Sequence, residues 1–199
     1  MKLKHFIFIV TALYSMVSCK EEDGNEQEFV DWQNKNEAYF EQQYQLHSMQ
    51  PSDVAIIRNW SQPSSKELSE IDHTECILVD VLASGSGTTS PYYTDSVEVH
   101  YSGRLIPSPS FPEGYEFDRS FYSTFDPELD VPTKFALNNV VSGFSTAIQH
   151  MHRGDYWRVT VPYQLGYGTT TSGLIPAYST LIFEIYLADF WKEEEGDRE

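Results

Sequence analysis

Basic residues are scarce in this chain of 199: 13 Lys and Arg stand against 30 Asp and Glu, a formal charge of −17. Nucleic acid and anionic lipid headgroups demand clustered Lys and Arg, so both are excluded as partners of the bulk surface. Long apolar runs are missing too. The longest near the N-terminus, Phe6-Ile7-Phe8-Ile9-Val10, is too short to span a bilayer. No Gly-rich phosphate loop, Ser-His-Asp arrangement or carboxylate pair is evident, which leaves nucleotide and hydrolytic chemistry without support. His150 and His152 stand two apart, on different faces of a helix, and are too few for a metal site. Neither a metal nor a cofactor is expected. Arg153-Gly154-Asp155 spells an adhesion tripeptide, but the Gly suits a backbone turn between helix and strand.

Cysteine occurs twice, at Cys19 and Cys76. Lys2 and Lys4, the apolar run and the small residues before Cys19 give residues 1–18 the layout of an export signal. Met16-Val17-Ser18-Cys19 looks like a lipobox, with Cys19 as the lipidated mature N-terminus, and the alternative is an ordinary cleaved signal. Lys20-Glu21-Glu22-Asp23 resembles the acidic export signal of surface lipoproteins in the Bacteroidetes; its plain reading is a solvated charge run. These features predict an exported protein, lipid-anchored to the outer membrane and facing the periplasm or the surface. With Cys19 modified, Cys76 is the only thiol and no intrachain disulfide forms. Stability then rests on burial, with Cys76 a small core residue in an apolar run.

What the chain does have is apolar and aromatic material, 40% and 15% of residues. That is enough for one core. Residues 19–73 read as a tether, a helix and a connector. Phe29, Trp32, Asn36, Tyr39, Phe40, Gln43 and Leu46 recur at spacings of three and four, predicting an amphipathic helix over 28–48. Its stripe either packs on its own domain or serves as a homodimerisation arm or client-holding surface. The connector contains one short apolar run, Val54-Ala55-Ile56-Ile57. From residue 74 onward, short apolar or alternating runs predict strands at 75–82, 95–105, 115–118, 133–137, 155–161 and 180–190. One helix interrupts them, Ser142 to His152, with Phe144, Ala147, Ile148 and Met151 on one face and Gly154 ending it. The expected fold is α+β, a twisted antiparallel half-barrel sheet wrapped around one short helix, with an N-terminal helical extension. Residues 192–199 form an acidic tail.

Several segments in chain order carry a resemblance. They are Val99-His100-Tyr101-Ser102-Gly103, Phe117-Asp118-Arg119-Ser120, the run Phe135 to Phe144, Gly166-Tyr167-Gly168, Leu174-Ile175-Pro176 and Phe183. Together they resemble the FKBP-type peptidyl-prolyl cis-trans isomerases across most of residues 74–190, within an expected isomerase domain of 74–191. The resemblance implies a pocket whose walls are Tyr101, Phe117, Val140, Val141, Phe144, Gly166, Ile175 and Phe183, with Phe135 as a core residue before the helix. Tyr167 and Asp118 are the implied catalytic residues. Held between two glycines, Tyr167 is also the best physical candidate for a hydroxyl aimed at a peptide carbonyl. Asp118 would sit at the pocket edge and either orient Tyr101 or oppose the amide's partial charges as it twists; its plain reading is a turn-capping Asp. The implied partners are proline-containing clients among unfolded or exported proteins.

This chain departs from the family pattern in places. Phe144 stands where many members have Trp, and the basic partner expected after Asp118 is missing, leaving Arg119 as a substitute. Residues Ile106 to Gly114 form an insertion expected to border the peptide site. His100, beside Tyr101, is expected to point away from the pocket, at the surface or the back of the barrel. The rival function is a non-catalytic peptide-binding chaperone or surface adaptor on the same fold. A third is glycan binding through exposed tyrosines and tryptophans.

Overall fold

Seven strands and two α-helices organise the residues that the computed structural model describes, 28–49, 53–122 and 124–192. The segment expected to be an export signal, Cys19 and the tail from residue 193 lie outside the described residues. The strands are β1 (Val54–Arg58), β2 (Cys76–Ala83), β3 (Asp95–Leu105), β4 (Glu116–Arg119), β5 (Thr133–Ala136), β6 (Tyr156–Val161) and β7 (Leu181–Lys192). They pair antiparallel in the order β1-β2-β6-β7-β3-β4, and β5 pairs with β3. The central pair is β3 with β7, matched from Asp95 opposite Lys192 to Leu105 opposite Leu181.

The alternating sequence of β7 explains its place. Leu181, Phe183, Ile185 and Leu187 are buried on one face while the residues between them stay partly accessible, the period of two that a one-sided sheet requires. Val97 and Val99 of β3, Trp157, Val159 and Val161 of β6, and Ile77 and Val79 of β2 complete that face. Each such side chain contributes roughly 1.5–3 kcal/mol when fully buried. Against the face lies the helix α2, Ser142–Ile148, placing Phe144, Ala147 and Ile148 in the core. Cys76 is fully buried, and burial pushes its thiol up to about 11.

Helix α2 is shorter than its apolar period suggests. It ends at Ile148, after which the amides of His150 and Met151 fold back onto the Ala147 carbonyl. This tight turn still drops Met151 into the core, which is why the sequence spacing mimicked a longer helix. Gly154 has a φ of 90° but sits in the next turn and does not cap the helix. Asp155 is buried and accepts hydrogen bonds from the amides of Gly85 and His152, so the adhesion tripeptide is not displayed.

The N-terminal helix α1 (Trp32–Met49) packs on its own domain through Trp32, Asn36 and Phe40, while Leu46 and Met49 remain exposed. The short apolar run in the connector became β1, antiparallel to β2. No helix among the described residues is long and apolar enough to cross a membrane.

Candidate active site

Strand pairing brings aromatic rings from four strands and α2 around one hollow. Tyr101 of β3 lies 5.6 Å from Phe135 of β5 and 6.0 Å, edge-on, from Phe144 of α2. Phe144 continues the series to Phe183 of β7 at 5.1 Å, and Phe183 meets Phe117 of β4 at 5.9 Å. The last three of these contacts are edge-to-face or nearly so, which suits the ring quadrupoles. Gly103 makes the last one achievable: it stands opposite Phe183, and a Cβ there would come within 2.6 Å of Phe117 and 2.9 Å of Phe183.

The hollow is a cleft of about 230 Å³. Phe144 forms its floor and is itself buried. Val140 and Val141, immediately before α2, line it with Asn139, and the partly exposed Tyr167 lines it at the rim. Apolar side chains thus line a space with two hydroxyls and one carboxylate.

The two hydroxyls differ in their commitments. Tyr101 donates to Asp118 Oδ2 at 2.6 Å, while Asp118 Oδ1 accepts the Arg119 amide at 2.9 Å. Burial first, then the hydrogen bond and charge of Asp118, hold the Tyr101 proton well above the usual phenol range. Tyr167 is 41% exposed, and no described side chain hydrogen-bonds its hydroxyl. Partial burial and the nearby Asp118 charge raise its pKa as well, so at neutral pH it is a proton donor. Its loop is set by Gly168, which has a φ of 65°; the Gly168 amide donates to the Tyr163 carbonyl at 2.8 Å.

Of the wall and catalytic residues expected from the sequence, Tyr101, Phe117, Asp118, Val140, Val141, Phe144, Tyr167 and Phe183 line the cleft. Gly166 and Ile175 do not. Ile175 belongs to the core and bridges to Ser172, and Gly166 faces Leu181. Phe135, expected as a core residue, is half-buried and lines the cleft; Asn139 lines it without any signal in the sequence. Arg119 does not serve Asp118 through its side chain, because its Nε pairs with Glu116 at 3.2 Å. His100 lies outside the cleft as expected, and of its two expected places it is not at the surface: it is buried against Phe125 and Tyr186, and burial lowers its pKa. The insertion lies away from the cleft, its Pro107 and Pro112 lining a polar cavity beside Tyr39 and Arg158.

A larger groove of about 770 Å³ lies elsewhere, with Trp60, Tyr92 and Trp191 on its walls. Several of its polar groups are used internally. Asn59 bonds Ser142 and Thr146, Gln149 bonds Ser145, and Asp95 accepts the Tyr92 amide. Size alone therefore does not make it the functional site; the smaller cleft combines apolar walls with an unspent donor. Among the described residues no group of three His, Cys, Asp or Glu is placed to hold a metal ion.

Similarity to known proteins falls on the same segment. The family profile of the FKBP-type peptidyl-prolyl cis-trans isomerases matches residues 87–188, just over half of the 199-residue chain. A macrophage infectivity potentiator of Trypanosoma cruzi is 42% identical over 107 residues, 53% of this chain and 48% of that protein. An FKBP-type 22 kDa peptidyl-prolyl cis-trans isomerase of Escherichia coli is 36% identical over 110 residues, 55% of this chain and 47% of that protein. The chain thus spans about half the length of these curated relatives. Among solved structures, FkpA from Escherichia coli superposes with a TM-score of 0.57 at 25% identity, covering 82% of this chain and 63% of that one. By the extent of the profile match and by its fold, the chain belongs to the FKBP-type peptidyl-prolyl cis-trans isomerase family.

Proposed function

We propose that the chain catalyses rotation about Xaa-Pro bonds in exported client proteins, with residues 74–191 as the isomerase domain. The observation that carries this is the cleft itself, a space of about 230 Å³ walled by rings and valines with an unspent hydroxyl at its rim. Rotation of a prolyl amide faces a barrier of roughly 20 kcal/mol because it breaks resonance. No covalent step is needed to lower it. The planar amide is more polar than the twisted one, so a water-poor apolar cleft disfavours the ground state, and a donor at the carbonyl favours the twisted form. A preference of roughly 4 kcal/mol gives about a thousandfold. Tyr167 supplies the donor. Asp118 fixes Tyr101, so that the wall keeps its shape while the proline turns.

The test is cis-to-trans relaxation of a short Xaa-Pro-Phe peptide with and without the full chain. Acceleration is expected, with kcat/KM falling about tenfold in Tyr167→Phe for the loss of one hydrogen bond of about 1.4 kcal/mol. Peptide binding without acceleration would favour the holding chaperone or adaptor instead.

We also propose export and lipid anchoring through Cys19, supported by Lys2, Lys4, the apolar run and Met16-Val17-Ser18-Cys19. Fatty-acid labelling in cells should mark the wild type and leave Cys19→Ala unmarked; equal labelling of both would exclude the anchor.

A further inference from the structure

The loop bearing Tyr167 joins β6 to β7, and two backbone hydrogen bonds tie the residue next to it. The Gly168 amide donates to the Tyr163 carbonyl at 2.8 Å, and the Gly168 carbonyl accepts the Tyr178 amide at 2.9 Å. The residue next to Tyr167 is therefore tied to positions 163 and 178, and wherever those are held, Tyr167 follows. Tyr178 has a φ of 64°, a left-handed backbone that a bulky residue adopts only when its surroundings enforce it.

Helix α1 contacts the residues that flank Tyr178, from outside the cleft. Trp32 Nε1 donates to Ser179 Oγ at 2.9 Å, and that hydroxyl donates to the Pro176 carbonyl at 2.7 Å. Asn36, fully buried, accepts the Thr180 amide at 2.7 Å and donates to the Trp32 carbonyl at 2.7 Å. On the other foot of the loop, Tyr163 donates to Glu37 at 3.3 Å, and its ring meets Tyr178 edge-on at 5.3 Å. Beside the buried rings of Trp32 and Phe40, a helix that only filled a hydrophobic gap would bury a third apolar side chain at position 36. This one buries an asparagine whose oxygen satisfies a loop amide.

We infer that α1 positions the candidate donor, with Trp32 and Asn36 as positioning residues that set where the Tyr167 hydroxyl stands. This rests on the isomerase reading above. In the full chain, Asn36→Ala is expected to lower kcat/KM about tenfold, close to the effect of Tyr167→Phe. Added to Tyr167→Phe it should cause no further fall, because the hydroxyl it places is gone. The Gly168 and Tyr178 amides should exchange faster with solvent while those of β3 and β7 keep their protection. Trp32→Phe keeps a ring but removes the indole N–H; it should show the same pattern more weakly, and it stands in if Asn36→Ala does not fold. Unchanged kcat/KM in both variants, or a loss as large on the Tyr167→Phe background as on the wild type, overturns the inference. If the wild type accelerates nothing, the isomerase reading falls and exchange alone decides: faster Gly168 and Tyr178 amides sustain the placement of Tyr167 by α1, and unaltered ones overturn it.

Discussion

Asp118 acts on the cleft through Tyr101, and charge and geometry can be separated by one substitution. Asp118→Asn keeps an acceptor but removes the charge that helps hold the Tyr101 proton. Burial, the larger cause, remains, so tyrosinate absorbance should show Tyr101 titrating below its wild-type position yet above a solvent-exposed phenol. An unchanged titration would mean that burial alone sets it. The floor residue is tested by Phe144→Ala, expected to cost about 3–5 kcal/mol in urea denaturation for a buried ring. Phe117, Phe144 and Phe183 were legible through the resemblance that several segments carry in chain order; taken singly, each ring reads as an ordinary core residue. Asn139 was not, because a polar residue in a turn carries no period. Arg119 misled for a different reason. Adjacency to Asp118 in sequence put its side chain on the opposite face of β4, within reach of Glu116.

Helix α2 and strand β6 meet through Gly143, where a Cβ would lie 2.3 Å from Val161 Cγ1. Gly143→Ala gains helix propensity but forces the two elements apart, and overpacking of this kind costs about 1–3 kcal/mol. Urea denaturation should therefore show a net loss of stability, and a gain would mean that α2 shifts freely on the sheet. The strands were the most readable elements. β3 occupies 95–105 as its alternation predicts, and β7 runs two residues beyond the expected end because Trp191 and Lys192 still pair with Ser96 and Asp95. The end of α2 was obscured because Met151 keeps helical spacing by way of a turn. The orientation of α1 was legible only in part. Its stripe of seven residues suggested a broad apolar face, whereas three of them, Trp32, Asn36 and Phe40, provide the buried line. Tyr39 and Gln43 instead border the polar cavity beside Arg158.

Across the whole molecule, buried thiol and phenol protons make stability sensitive to alkali, and the direction can be worked out. The Cys76 thiol is raised from 9.0 to about 11 by burial, and Tyr101 and Tyr156 are raised above 10.0 by burial and by bonds to Asp118 and Glu184. All three groups hold their protons more tightly in the folded chain, so above the unfolded pKa the unfolded state binds fewer protons and stability falls as pH rises. Their contribution is complete below about pH 9, declines between 9 and 11 as Cys76 is overtaken, and declines further above 10 as the tyrosines follow. The net charge of −17 adds self-repulsion in the same direction. Urea midpoints measured at fixed salt should therefore be level up to about pH 9 and drop beyond it. Cys76→Ala removes the first of these groups and should move the onset of the drop to about pH 10. An onset that stays at pH 9 in that variant would assign the early loss to surface repulsion, which added salt would then suppress in both proteins.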